Sequence, residues 1–193
     1  EAIEAAAHAA MAFNEEQVAS AVDNLEIDDD GAIENAIESL ATFLKAPHSD
    51  AQIFDEVARQ QTFAALPVMD RLSIFFGAAF TGDILTQQQI PKYAAVLEKI
   101  IDNERLQFQL IALVEHFCAI KFPTLLNTFP VVLKHFYDED LVAEDTILAW
   151  SVDETRKNYA HYEITPTQAA ALKKALAPFV EWLENAEEES DEE

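Results

Sequence analysis

The residues with most chemistry to offer lie in two stretches near the C-terminus. One runs from Tyr137 to Trp150 (YDEDLVAEDTILAW) and the other from Pro178 to Glu193 (PFVEWLENAEEESDEE). The first combines Tyr137 and Trp150 with Asp138, Glu139, Asp140, Glu144 and Asp145; the second combines Phe179 and Trp182 with Glu181, Glu184, Glu187, Glu188 and Glu189. Carboxylates pair with ammonium and guanidinium groups, and an aromatic face adds a cation-π contact of about 0.5 to 1 kcal/mol at an exposed site. Together they describe a surface that grips lysine-rich protein segments. In the second stretch Phe179, Trp182, Leu183 and Ala186 recur at helical spacing, so the rings are also expected to anchor a helix to a core. On that division of labour Trp182 fastens the helix and the glutamates face outward. Trp182→Ala should then loosen fold and binding together, whereas glutamate-to-glutamine changes should weaken binding alone.

Other chemistry finds little material. The five histidines, His8, His48, His116, His135 and His161, have no metal-ligand spacing, and the single Cys118 lies in an apolar run where a buried, inert thiol is expected. No disulfide within the chain and no multi-thiolate zinc site is available. No serine is flanked by the glycines of a nucleophile elbow. Glu26, Asp28, Asp30 and Gly31 fit the first half of a calcium loop, but Ile37 falls where the bidentate glutamate must stand. No metal, cofactor or catalytic group is expected. Ser190, set among acids, is a candidate phosphorylation site that would add charge to the tail.

The net charge of −24 is unevenly spread. Residues 1 to 56 carry a net −13, residues 57 to 137 a net +1 and residues 138 to 193 a net −12. Such ends repel phosphate backbones and anionic headgroups and steer basic segments inward, so neither direct nucleic-acid binding nor membrane binding is expected. The seven bases of the neutral middle, Arg59, Arg71, Lys92, Lys99, Arg105, Lys121 and Lys134, could form a second binding face or be dispersed. No apolar run reaches the roughly 18 residues of a membrane span and no signal segment opens the chain. A soluble, cytoplasmic protein is expected, and the start at Glu1 points to a piece of something longer.

The elements that must position the two stretches read as helices. Apolar residues recur at helical spacing in Ile33, Ala36, Ile37, Leu40 and Leu44; in Leu72, Phe75, Phe76, Ala79 and Phe80; in Tyr93, Val96, Leu97, Ile100 and Ile101; and in Phe129, Val132, Leu133 and Phe136. Breaks fall at Pro47, Gly82 and Asp102-Asn103. Half the residues are apolar and only three are glycine, which favours helices around one core. No strand alternation of any length occurs. The expected fold is all-α: about nine helices stacked as antiparallel pairs in a HEAT-like superhelix, with a weak period near 40 residues. Residues 1–25 are expected to be a helical extension or linker end, 26–186 the domain and 187–193 an acidic tail. Asp138 to Asp140 are placed at the start of a mostly buried helix over 141–150. A polar, mobile loop (SVDETRKNYAHYEITP) follows, and then a last helix that Pro178 should kink or restart.

The run FYDEDLVAEDTILAW followed by PFVEWLENAEEES resembles the paired aromatic and acidic boxes of the W2-type C-terminal domain found in eukaryotic translation initiation factor 5 and in the epsilon subunit of the guanine nucleotide exchange factor for initiation factor 2. The resemblance is strong over 137–193, moderate over about 66–136 and not convincing before that. It implies a HEAT-like domain that binds lysine-rich blocks in the tail of the initiation factor 2 beta subunit, and initiation factors 1 and 3, to assemble the pre-initiation complex. The box residues named above would carry that binding. It also implies no catalysis here, because the GTPase-activating part of factor 5 lies in a separate zinc-bearing domain that one cysteine cannot supply. The alternatives are the catalytic end of the exchange subunit and a generic acidic helical scaffold.

Overall fold

A computed structural model describes residues 29–152, 156, 158, 159 and 162–190, with side chains described from 31 to 185 of these. The expected N-terminal extension and the tail beyond 190 lie outside them. All regular structure among the described residues is helical. The α-helices are α1 (Asp29–Phe43), α2 (Asp50–Phe63), α3 (Asp70–Ala79), α4 (Gln89–Ile100), α5 (Glu104–His116), α6 (Phe129–Asp138), α7 (Glu144–Trp150) and α8 (Pro166–Ser190). A π-turn (Phe117–Lys121) and a 3₁₀ segment (Pro123–Thr128) join α5 to α6. Calcium-loop geometry around Glu26 and Asp28 lies outside the described residues, and none of them form a metal-binding cluster.

The helices alternate between two layers. α1, α3, α5 and α7 pack side by side in one, and α2, α4, α6 and α8 in the other, with α1–α2, α2–α3, α3–α4, α5–α6 and α7–α8 touching across the layers. This is the all-α, HEAT-like arrangement expected from the single apolar stripes. Within the odd layer, Gln107 of α5 meets Thr146 near the start of α7, and Glu115 meets Trp150 at the ends of the same helices, so α5 and α7 run parallel. α1 closes on α3 at Gly77, where a Cβ would stand 2.6 Å from Ile37 Cδ1. One continuous core runs through the layers, from Leu40 and Val57 through Phe75, Leu97, Leu110 and Phe136 to Trp150 and Leu183.

Local signals set the helix ends. Ser49 caps α2 in a capping box with Gln52, and Asn103 accepts the Leu106 N–H at 3.0 Å to start α5. Thr165 and Gln168 make the reciprocal pair at the start of α8, where Pro166 takes the first helical position. α8 continues through Pro178, so the restart, one of the two expected outcomes, does not occur. Removing one backbone bond costs about 3 kcal/mol, but Leu176, Phe179 and Leu183 are all buried on either side of it, and that packing holds the helix in register.

A second correction concerns Asp138, Glu139 and Asp140. They do not open the next helix; they close α6. Asp140 adopts a left-handed backbone (φ 57°), its N–H bonds to Tyr137 O at 3.0 Å, and the Leu141 N–H bonds to Phe136 O at 3.0 Å. This is a Schellman termination with aspartate at the glycine position, and it sends Leu141 and Val142 into the core. α7 therefore begins only at Glu144, and the helix expected over 141–150 is shorter.

Candidate functional site

α6 and α8 are neighbours in the even layer, and this brings the two aromatic and acidic stretches together through their rings. Tyr137, at the end of α6, meets Phe179 edge-on at 6.1 Å between centroids and Trp182 at 6.2 Å, perpendicular to within a degree (89°). Phe179 and Trp182 lie 5.9 Å apart and nearly parallel. Burial divides them. Phe179 is buried and Tyr137 half-buried, but Trp182 is 47% exposed. The expectation that Trp182 fastens α8 to the core is overturned. Leu183, fully buried, and Phe179 do that, because their side of the helix faces α6 while Trp182 falls at the edge of the stripe.

The carboxylates gather around this cluster in two groups. Asp138, Asp140 and Glu144 line a recess of about 570 Å³ together with Gln107 and Tyr137. Gln107 shapes its floor by accepting the Ala143 N–H at 2.9 Å and the Thr146 hydroxyl at 2.8 Å, so it satisfies the N-cap backbone N–H that the N3 side chain of a capping box would otherwise take. Glu181 and Glu184 line a larger groove of about 630 Å³, whose walls include Leu172, Leu176, Val180 and Trp150. Glu139 and Asp145 are exposed. The side chains of Glu187, Glu188, Glu189 and Ser190 lie outside the described residues.

Trp150 belongs to a different environment. It is 2% exposed, and its indole N–H donates to Glu115 at 3.1 Å. Glu115, itself 2% exposed, also receives Arg156 Nε at 2.8 Å and the Tyr162 hydroxyl at 2.8 Å. A buried carboxylate is sustained only by such partners. Its charge and hydrogen bond hold the Arg156 guanidinium above its usual range, and burial, reinforced by Glu115, raises the Tyr162 phenol. Cys118 is buried, as expected, and that burial pushes its thiol up to about 12. Arg156, Tyr162 and Tyr159, which stacks on Phe108 at 4.7 Å, belong to the segment expected to be a mobile loop. At these residues it is instead tied to α5.

Glu115 was the residue most easily missed, although the signal was present: it falls in phase with Phe108, Ile111 and Cys118 on a buried face. The middle bases are mostly dispersed. Arg59 pairs with Glu56, Lys92 lies over Tyr93 and Lys121 over Phe122, while Arg71, Lys99 and Arg105 line one small recess. Lys134 is the exception that enters the site, donating to Asp138 at 2.6 and 2.8 Å with its ammonium 5.6 Å from the Trp182 ring centroid.

Residues 106–193, which include both stretches and the Glu115 network, match the family model W2, described as eIF4-gamma/eIF5/eIF2-epsilon. Residues 106–193 of the chain therefore read as a W2 domain. It is similar to eukaryotic translation initiation factor 5 of Mus musculus, 30% identical over 141 residues that cover 72% of this chain and 30% of that protein. The factor 5 of Zea mays is 34% identical over 119 residues, 61% of this chain and 23% of that protein. The chain thus spans less than a third of the length of these relatives. The solved C-terminal domain of translation initiation factor 5 at low pH superposes with a TM-score of 0.60 at 24% identity, over 81% of this chain and 95% of that one, which places the all-helical fold. In the W2 domain described here, the two boxes meet through rings and divide their acids between two recesses. No described helix is long and apolar enough to cross a membrane.

Proposed function

We propose that this W2 domain is a non-catalytic, cytoplasmic assembly module of translation initiation. It binds the lysine-rich tail of the initiation factor 2 beta subunit, and initiation factors 1 and 3, through its two aromatic and acidic boxes. The observation that carries this reading is the convergence of Asp138, Asp140 and Glu144 on one recess beside a half-exposed tryptophan. The Asp138 and Asp140 carboxylates face solvent, where they attract cations from a distance, Glu144 sits half-buried beside them, and the indole offers a flat apolar surface for a lysine stem and its ammonium. The likeness to factor 5 supplies the choice of partners. Phosphorylation of Ser190 would add charge to the same end of the molecule.

The test is a fluorescence anisotropy titration of a lysine-block peptide from the beta-subunit tail. Micromolar or tighter binding is expected, weakening steeply between low and physiological salt because exposed charges are screened. Replacing Asp138, Asp140 and Glu144 with their amides should weaken it roughly tenfold or more without lowering the melting temperature. Unchanged affinity in that triple variant would refute the reading. Acceleration of GDP release from initiation factor 2 would favour the exchange-factor activity instead.

A further inference from the structure

Lys134 makes, within the chain, the contact that the boxes offer to a partner. Its ammonium lies between both oxygens of Asp138, at 2.6 and 2.8 Å, and the indole of Trp182, 5.6 Å from the ring centroid. The Lys134 and Asp138 side chains are 46% and 45% exposed, and Trp182 is 47% exposed, so water and other solutes reach all three.

We infer that Asp138 and Trp182 form a lysine subsite, and that Lys134 is its resident competitor, displaced when a lysine from a partner segment binds. The inference rests on the proposed function and identifies one point of contact within it. Three features make the exchange feasible. The pair has lysine one turn before aspartate, the less favourable order on a helix, so the hold is weak. Asp138 is the last residue of α6, at the negative end of the helix dipole, so its carboxylate demands a cation but not a particular one. Lysine is long and four-jointed, and its head swings into solvent at little cost.

The contrast within the molecule is Arg156 on Glu115. That pair is 24% and 3% exposed and shares its carboxylate with Trp150 and Tyr162, so no outside cation reaches it. A tethered competitor also sets a selectivity. One isolated lysine in solution competes poorly with a side chain held on the same helix. A block of lysines, once any one of them is engaged, delivers the next at high effective concentration and wins.

The experiment compares this 193-residue chain in three forms, wild type, Lys134→Met and Lys174→Met, in the same peptide titration. Methionine keeps the unbranched apolar stem and the helix propensity but removes the ammonium. Lys174, exposed on α8, provides the same charge change away from the rings. Lys134→Met should bind the lysine-block peptide about three- to tenfold more tightly than wild type, and Lys174→Met less than about twofold more tightly. Equal gains in the two variants would overturn the competitor, leaving only a general charge effect. Wild-type binding with no gain in Lys134→Met overturns the inference but spares the proposed function. No binding by any of the three chains at low salt overturns both. Both substitutions are at exposed positions, and unchanged circular dichroism melts confirm that the comparison is one of binding.

Discussion

The two tryptophans sit in sequence contexts of the same kind, aromatic among acids at the end of an apolar stripe, yet the fold uses them in opposite ways. Trp150 is sealed in the odd layer with its N–H committed to a buried carboxylate, whereas Trp182 lies half in solvent beside an exposed ion pair. The difference comes from the layers. α7 lies against α5, where Glu115, Arg156 and Tyr162 close over it; α8 ends the even layer among the described helices, packing on α6, α7 and the 3₁₀ segment and leaving Trp182 at the margin of the covered face. An aromatic and acidic box is therefore not one kind of object. One tryptophan maintains the shape of the domain and the other is available to a ligand.

Substitutions can break this comparison. The largest effect is expected from Trp150→Ala, which removes a fully enclosed ring and leaves Glu115 short of a donor. A loss of about 3 to 5 kcal/mol in urea unfolding is expected, enough to unfold a marginal domain. Glu115→Gln should follow at about 2 to 3 kcal/mol, because Arg156 loses its counter-charge while remaining largely buried. Neither change should alter peptide affinity per folded molecule, and a specific loss of affinity in Glu115→Gln would show that the buried network belongs to the site. Trp182→Ala should reverse the pattern, lowering stability by about 1 kcal/mol while weakening the lysine-block peptide several-fold.

Alkaline pH sharpens the same contrast. The Cys118 thiol is raised from 9.0 to about 12 in the folded chain, chiefly by burial, so its contribution is fully present below pH 9. Above that the unfolded chain gives up a proton that the folded chain keeps, and stability should fall by about 1 kcal/mol per pH unit. Tyr162, raised for the same reason, adds to the fall above pH 10. The urea midpoint at pH 8 and at pH 10 measures this. A midpoint that does not move would mean that the α5 end is open to water. The smallest effect is expected from Asp140→Gly. Glycine suits the left-handed backbone, so a gain of about 0.5 to 1 kcal/mol should accompany a modest loss of affinity from the missing carboxylate.

Much of this is legible in the sequence alone. Apolar stripes such as Leu72, Phe75, Phe76 and Ala79 gave helices because one-sided burial writes itself at helical spacing, and the absence of strand alternation led to the layered all-α fold. The ring clusters and acids of the boxes were likewise visible as composition. Three things were not. The run Asp138-Glu139-Asp140 favours a helix start by its charge and ends one by its backbone, and only the left-handed turn at Asp140 decides between them. Pro178 breaks helices in isolation, but the packing of Phe179 and Leu183 overrides it. Trp182 has the right phase for burial, yet the width of the covered face depends on how many neighbours a helix has, which is a property of the stack and not of the helix. Glu115 could have been flagged as a charge on an apolar face, but its partners Trp150, Arg156 and Tyr162 lie 35 to 47 residues away.

The chain has only two tryptophans, so one measurement addresses the central claim directly. The indole N–H resonances of both are followed by nuclear magnetic resonance while the lysine-block peptide is added. The resonance of Trp182 should move to saturation with the same midpoint as binding and return on adding salt, while that of Trp150 stays in place. Movement of Trp150 with Trp182 unmoved, or binding that moves neither, would contradict the assignment of one tryptophan to the fold and the other to the ligand.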